Sequence, residues 1–140
     1  MTTSRNLRVP LLLAGLVLGL SAHAAGTITQ DEYKASKDRI EQEHKAAKDA
    51  CKDLKDNAKD VCQKEADARE KIAKAELEYR RTGKDSDRLK AEKTKADQAY
   101  EVAKERCDDQ TGAAKDACQS DAKAAQKKAH ASIQAEKKGS

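Results

Sequence analysis

The side chains with the widest chemical repertoire in this sequence are four cysteines, Cys51, Cys62, Cys107 and Cys118, and the histidines His44 and His130. A third histidine, His23, lies near the N-terminus. The cysteines form two cassettes, Cys51-KDLKDNAKDV-Cys62 and Cys107-DDQTGAAKDA-Cys118, each with ten residues between its members. Thiol–disulfide exchange uses Cys-x-x-Cys, where the second thiol resolves a mixed disulfide beside the first. Zinc sites also pair their cysteines at short spacing. The ten-residue spacer fits neither. His44 precedes Cys51 by seven residues; on one helix the two stand ~10 Å apart, too far to share an ion at ligand distances of ~2.0–2.3 Å. His130 follows Cys118 by twelve residues. The reading is two exposed histidines, no metal, and cysteines that cross-link.

The cassettes are copies. Ala47-Lys48 recurs as Ala103-Lys104, and Ala58-Lys59-Asp60 as Ala114-Lys115-Asp116. In one uninterrupted helix each pair of cysteines would be ~16.5 Å apart along the axis, whereas a disulfide needs Cα atoms within ~7 Å. A bond within a cassette therefore requires the chain to reverse inside it. Asp56-Asn57 and Gly112 sit at the two midpoints, and these residue types tolerate turns and left-handed backbone. Asn57, three residues before Asp60, also reads as a helix N-cap. Four cysteines allow three connectivities; the repeat favours Cys51–Cys62 with Cys107–Cys118, one bond per copy. Closing so short a loop stabilises by roughly 3 kcal/mol on the chain-entropy account.

The flanking elements read as helices. The 140-residue chain is rich in Lys, Ala, Asp and Glu, with 39% charged and 2% aromatic residues. Acid-before-base pairs four apart recur at Glu41–Lys45, Glu65–Arg69, Asp67–Lys71, Glu70–Lys74 and Glu76–Arg80, each supporting a helix by ~0.2–0.5 kcal/mol. Four helices are expected: from Thr29 or Gln30 to Leu54, Ala58 to Arg81, Asp87 to Asp109, and Ala114 to Glu136. Their seams follow a seven-residue period: Tyr33, Ile40, Ala47 and Leu54 in the first; Val61, Ala68 and Ala75 in the second; Leu89, Ala96 and Ala103 in the third. The fourth seam is almost entirely alanine. Gly83 suits a left-handed C-terminal cap, and Asp85 or Ser86 can cap the helix that follows. The fold class is all-α: duplicated disulfide-stapled hairpins, residues 25–82 and 83–140, arranged either as an elongated pair or as a loose four-helix bundle.

Residues 1–24 read as a secretory signal, with Arg5 and Arg8, an apolar stretch from Val9 to Leu20, and Ala22-His23-Ala24 before a cut between Ala24 and Ala25. The apolar stretch falls short of the ~20 residues a membrane-spanning helix needs. The reading is a periplasmic protein with no transmembrane segment after processing, in a compartment kept oxidising. About 116 residues then remain, with a dozen large apolar side chains and no Phe or Trp. At ~1.5–3 kcal/mol per buried side chain, that is too little for a compact enzyme core.

The net charge of +4 and isoelectric point of about 8.8 include Arg5 and Arg8, and the remaining charges are interleaved in a solvated-face pattern. Nucleic acid is not expected as a partner, since Lys127-Lys128 and Lys137-Lys138 are isolated basic spots without aromatic neighbours. No Ser-His-Asp set, glycine-rich phosphate loop or paired carboxylates appear, so no catalytic residue and no cofactor are assigned.

The repeated Ala-Lys-Asp-x-Cys of Ala58 to Cys62, and Lys71-IAKAEL-Glu78, give the chain a family likeness. It resembles small exported Ala/Lys-rich proteins of Gram-negative bacteria with paired Cys-x10-Cys cassettes, often labelled TolA-like or cell envelope biogenesis protein. The likeness spans nearly all of the sequence after the signal. It implies an envelope compartment. The expected function is a non-enzymatic periplasmic helical protein, an envelope structural or interaction element whose partner is an envelope protein or polymer. The alternative is a stress-related or chaperone-like binder of clients or ions.

Overall fold

A computed structural model describes residues 27–139. The expected signal segment and the Ala24–Ala25 junction lie outside the described residues. Four helices occupy most of the rest: α1 (Gln30–Ala50), α2 (Asp56–Thr82), α3 (Asp85–Arg106) and α4 (Gly112–Gly139), with a single 3-10 turn at Cys107–Asp109 after α3. There is no strand among the described residues. The protein is all-α.

Local chemistry sets the helix ends. At the start of α1, Thr29 and Glu32 form a reciprocal capping box: the Thr29 hydroxyl accepts from the Glu32 N–H, and the Glu32 carboxylate accepts from the Thr29 N–H. α2 ends at Gly83, whose φ of 64° gives the expected left-handed cap and whose N–H donates to the Tyr79 carbonyl. Between the hairpins the chain turns through only Gly83 and Lys84. Asp85 and Ser86 do not cap. The N-cap of α3 is Lys84 with no side-chain hydrogen bond, while the Asp87 carboxylate accepts a 2.5 Å hydrogen bond from the Thr82 hydroxyl across the turn.

The helices pack antiparallel in chain order, α1 on α2, α2 on α3 and α3 on α4, with the α2–α3 contact the most extensive. α1 and α4 share no extended contact among the described residues. Of the two expected arrangements, the structure is the loose four-helix bundle, its hairpins packed together through α2 and α3 and left open between α1 and α4. It is an open row, with α2 and α3 in the middle and α1 and α4 at the edges.

Position in the row matches the burial of α1, α2 and α4 but not that of α3, which also has two partners. α2 has two partners and buries Ala66, Ala68 and Leu77, whereas α1 buries Ile40, α3 buries Ala91, and no described residue of α4 is buried. A single heptad stripe does not capture a helix with two covered sides, which is why Leu77 lies off the expected α2 seam. Leu54 departs too. α1 stops at Ala50, and Leu54 follows the helix in the turn, 40% exposed.

Candidate functional site

Both disulfides form in the favoured connectivity, Cys51–Cys62 and Cys107–Cys118, each with a Cα–Cα distance of 5.7 Å. No cysteine is free. Cys51 and Cys107, at the helix ends, have no solvent exposure, while Cys62 and Cys118 are half-buried one to two turns into the next helix. The chain reverses at the expected midpoints. Asp56 and Gly112, equivalent positions 56 residues apart, adopt φ of 50° and 55°. Asp56 pays for that left-handed backbone with its Cβ, and Gly112 does not. Asn57 does not cap. It lies inside α2, whose N-cap is Lys55, and its Nδ2 is buried without a hydrogen-bond partner.

The two histidines are not the exposed side chains expected from sequence. His44 lies in the α1–α2 seam, its Nε2 2.8 Å from Asp67 Oδ1 and its Nδ1 3.5 Å from Glu70 Oε2. Lys48 Nζ donates to the same Asp67 carboxylate at 3.1 and 3.3 Å. Burial pushes the Asp67 carboxyl up, but hydrogen bonds from His44 and Lys48 outweigh it and hold it below the usual carboxylate range. At the far end of the hairpin, the Tyr33 hydroxyl donates to Glu78 at 3.5 Å and Arg81 stacks over the Tyr33 ring, 5.5 Å from its centre.

The second hairpin uses the same positions with different chemistry. His44 and Asp67 correspond to Tyr100 and Lys123, and there Lys123 Nζ lies 4.8 Å above the Tyr100 ring centre. The histidine has moved to His130, on α4, whose Nε2 is 2.8 Å from Asp97 Oδ1 on α3 without hydrogen-bond alignment. Gln126 Nε2 donates to that same oxygen at 2.8 Å and Lys93 to Oδ2 at 2.7 Å. Asp97, like Asp67, is raised by burial, yet the hydrogen bonds from Lys93 and Gln126 prevail and lower it. The signal for these pairs was in the repeat itself, since the 56-residue offset superposes one interacting pair on the other.

The four-ligand convergence a metal needs is missing around the histidines. The two carboxylates near His44 approach opposite ring nitrogens, and no cluster of three potential ligands is found among the described residues.

Between α2 and α3 runs an open groove of about 310 Å³, floored by Ala68, Ile72, Ala99, Val102 and Ala103, with Glu65, Arg69, Lys95 and Arg106 on its rim. Its rim charges are spent internally: Arg106 pairs with Glu65 at 2.5 Å and Lys95 with Glu76 at 2.8 Å. The groove and seams together are built to hold helices in register.

These features define an all-α protein of two disulfide-stapled helical hairpins joined side by side. No family model, curated protein or solved structure matches the chain. No described helix is long and apolar enough to cross a membrane.

Proposed function

We propose that this protein is a non-enzymatic helical element of the bacterial envelope, exported to the periplasm, where it acts as a spacer or interaction module. The observation that carries the proposal is the way polar groups are used. The histidines and buried-side carboxylates of both hairpins are committed to holding neighbouring helices together, and each hairpin is locked by a disulfide. Such bonds persist in an oxidising compartment, which supports export. What the molecule offers to a partner is an outer surface of charged helix faces held rigid by the staples.

The test is cross-linking in living cells from exposed positions on α1 and α4, followed by capture and mass spectrometry. The proposal expects a discrete envelope protein or polymer that stays attached through a high-salt wash. Recovery of a broad set of unfolded clients, with suppression of client aggregation by the purified protein, contradicts it and favours a chaperone-like binder.

A further inference from the structure

The two sulfurs of each staple differ in access. Cys51 is the C-terminal cap of α1 and Cys107 that of α3, and both have no solvent exposure. Their partners, Cys62 and Cys118, are the seventh residues of α2 and α4 and are half-buried. The difference has the same sense in both copies, although the residues between the cysteines, KDLKDNAKDV and DDQTGAAKDA, share little beyond Ala-Lys-Asp. The hairpin geometry therefore sets it, rather than any one neighbouring side chain.

A disulfide is opened by a thiolate that attacks one of its sulfurs and expels the other, so access to each sulfur decides the course. In the folded hairpin no thiolate reaches Cys51 or Cys107, because neither residue has any exposed surface. Attack must fall on Cys62 or Cys118. The expelled sulfur is then the buried one, at the negative end of a helix. Cys51 Sγ lies 3.2 Å from the Ala47 carbonyl oxygen, which disfavours a thiolate there and can accept the hydrogen of a thiol. The leaving group is a poor one, which slows exchange in the folded state.

We propose that Cys62 and Cys118 are the sites at which external thiols modify this protein, and that Cys51 and Cys107 are the resolving sulfurs that reverse the modification. An incoming thiolate bonds to Cys62 Sγ, the Cys51–Cys62 bond breaks, and its electron pair goes to Cys51 Sγ, which takes a proton from water. The product is a mixed disulfide on α2 and a buried thiol at the end of α1. In the closed staple the two Cα atoms are 5.7 Å apart, and while the hairpin holds that spacing the Cys51 thiolate can attack Cys62 Sγ, expel the bound thiol and re-form the staple. Cys107 and Cys118 follow the same course. The chain is the substrate of this exchange, and the reagent is a small thiol or the exposed cysteine of a Cys-x-x-Cys protein. The proposal goes beyond the envelope reading and does not depend on it, since it rests on the staples alone.

The experiment treats the full oxidised protein with reduced glutathione in native buffer, quenches with acid at early times, alkylates the freed thiols after unfolding, and maps the peptides by mass spectrometry. Glutathione should sit on Cys62 and Cys118 and the alkyl group on Cys51 and Cys107. The excess over the opposite pattern should be about tenfold or more, since the buried sulfurs are reached only through local opening. In urea the preference should vanish, because all four sulfurs are then accessible. A second arm replaces glutathione by a Cys-x-x-Cys protein whose second cysteine is changed to alanine. Capture through Cys62 and Cys118 there as well admits a protein thiol as the source, and glutathione adducts without such capture confine the source to small thiols. Adducts on Cys51 and Cys107 as frequent as on their partners in native buffer overturn the proposal, and so does a protein that forms no adduct until urea unfolds it.

Discussion

The two hairpins share a covalent plan and differ in what lies beside it. Each has a disulfide of the same span, a left-handed residue at its turn, and a polar contact across its seam at matched positions. In the first hairpin, Leu77 is 4% exposed and Ile40 is 8% exposed. Their equivalents in the second are Ile133, half-buried, and Ala96. The second hairpin therefore has the staple and much less apolar packing behind it. A cross-link that acts on the unfolded chain stabilises both by a similar amount, so it matters proportionally more where packing is thin.

Removing the staples gives the largest effect. Replacing Cys107 and Cys118 by alanine, or Cys51 and Cys62, should each cost roughly 3 kcal/mol. In urea unfolding monitored by circular dichroism, loss of the second staple should release α4 in a separate early transition, while loss of the first should lower a transition that α1 and α2 still share. Early transitions of equal size in both variants would erase the distinction between the hairpins.

The next effect sharpens it. Leu77→Ala should destabilise by ~2–4 kcal/mol as a buried truncation. Ile133→Ala, at the equivalent and half-buried position, should cost about half as much or less. Equal losses by chemical denaturation would mean that α4 is packed as firmly as α2.

A smaller effect belongs to the turns. Asp56→Gly should raise stability by up to ~1 kcal/mol, because the residue already holds a left-handed φ, and Gly112→Ala should lower it by ~1–2 kcal/mol. The two changes should move the melting temperature in opposite directions.

The smallest should be the pH response. Asp67 and Asp97 both have folded-state pKa values lowered by their partners. Each therefore contributes stability that is complete above the ordinary aspartate range and lost as pH falls through the lowered value. Thermal melts should weaken on acidification below about pH 4. Asp67→Asn and Asp97→Asn should each flatten that dependence, and an unaltered profile in both variants would show that the seam aspartates are not its source.

Much of this was legible in the sequence, and the misses have physical causes. The repeat favours the disulfide partners that form, one bond per copy, and the cassette length requires the chain to reverse if they do. Gly83 and the turn midpoints followed from backbone chemistry. Leu54 has the heptad position of a helix residue, but α1 ends at Ala50 and the chain enters the stapled turn there. The Thr29–Glu32 capping box was present as a sequence pattern. The row itself was not visible, because a periodic stripe reports that one side of a helix is covered and cannot report that α2 has two. The histidines read as solvent-exposed in sequence because no partner lies near them along the chain. Their carboxylate partners are 23 and 33 residues away, on helices that only the fold brings together.

A shared staple thus supports two hairpins of unequal packing. Residue-resolved amide hydrogen exchange on the intact oxidised protein tests it most directly. Protection should be greatest in α2 and α3, lower in α1, and lowest in α4, declining from Cys118 toward Gly139. Protection of α4 equal to that of α2 along its whole length would contradict the claim.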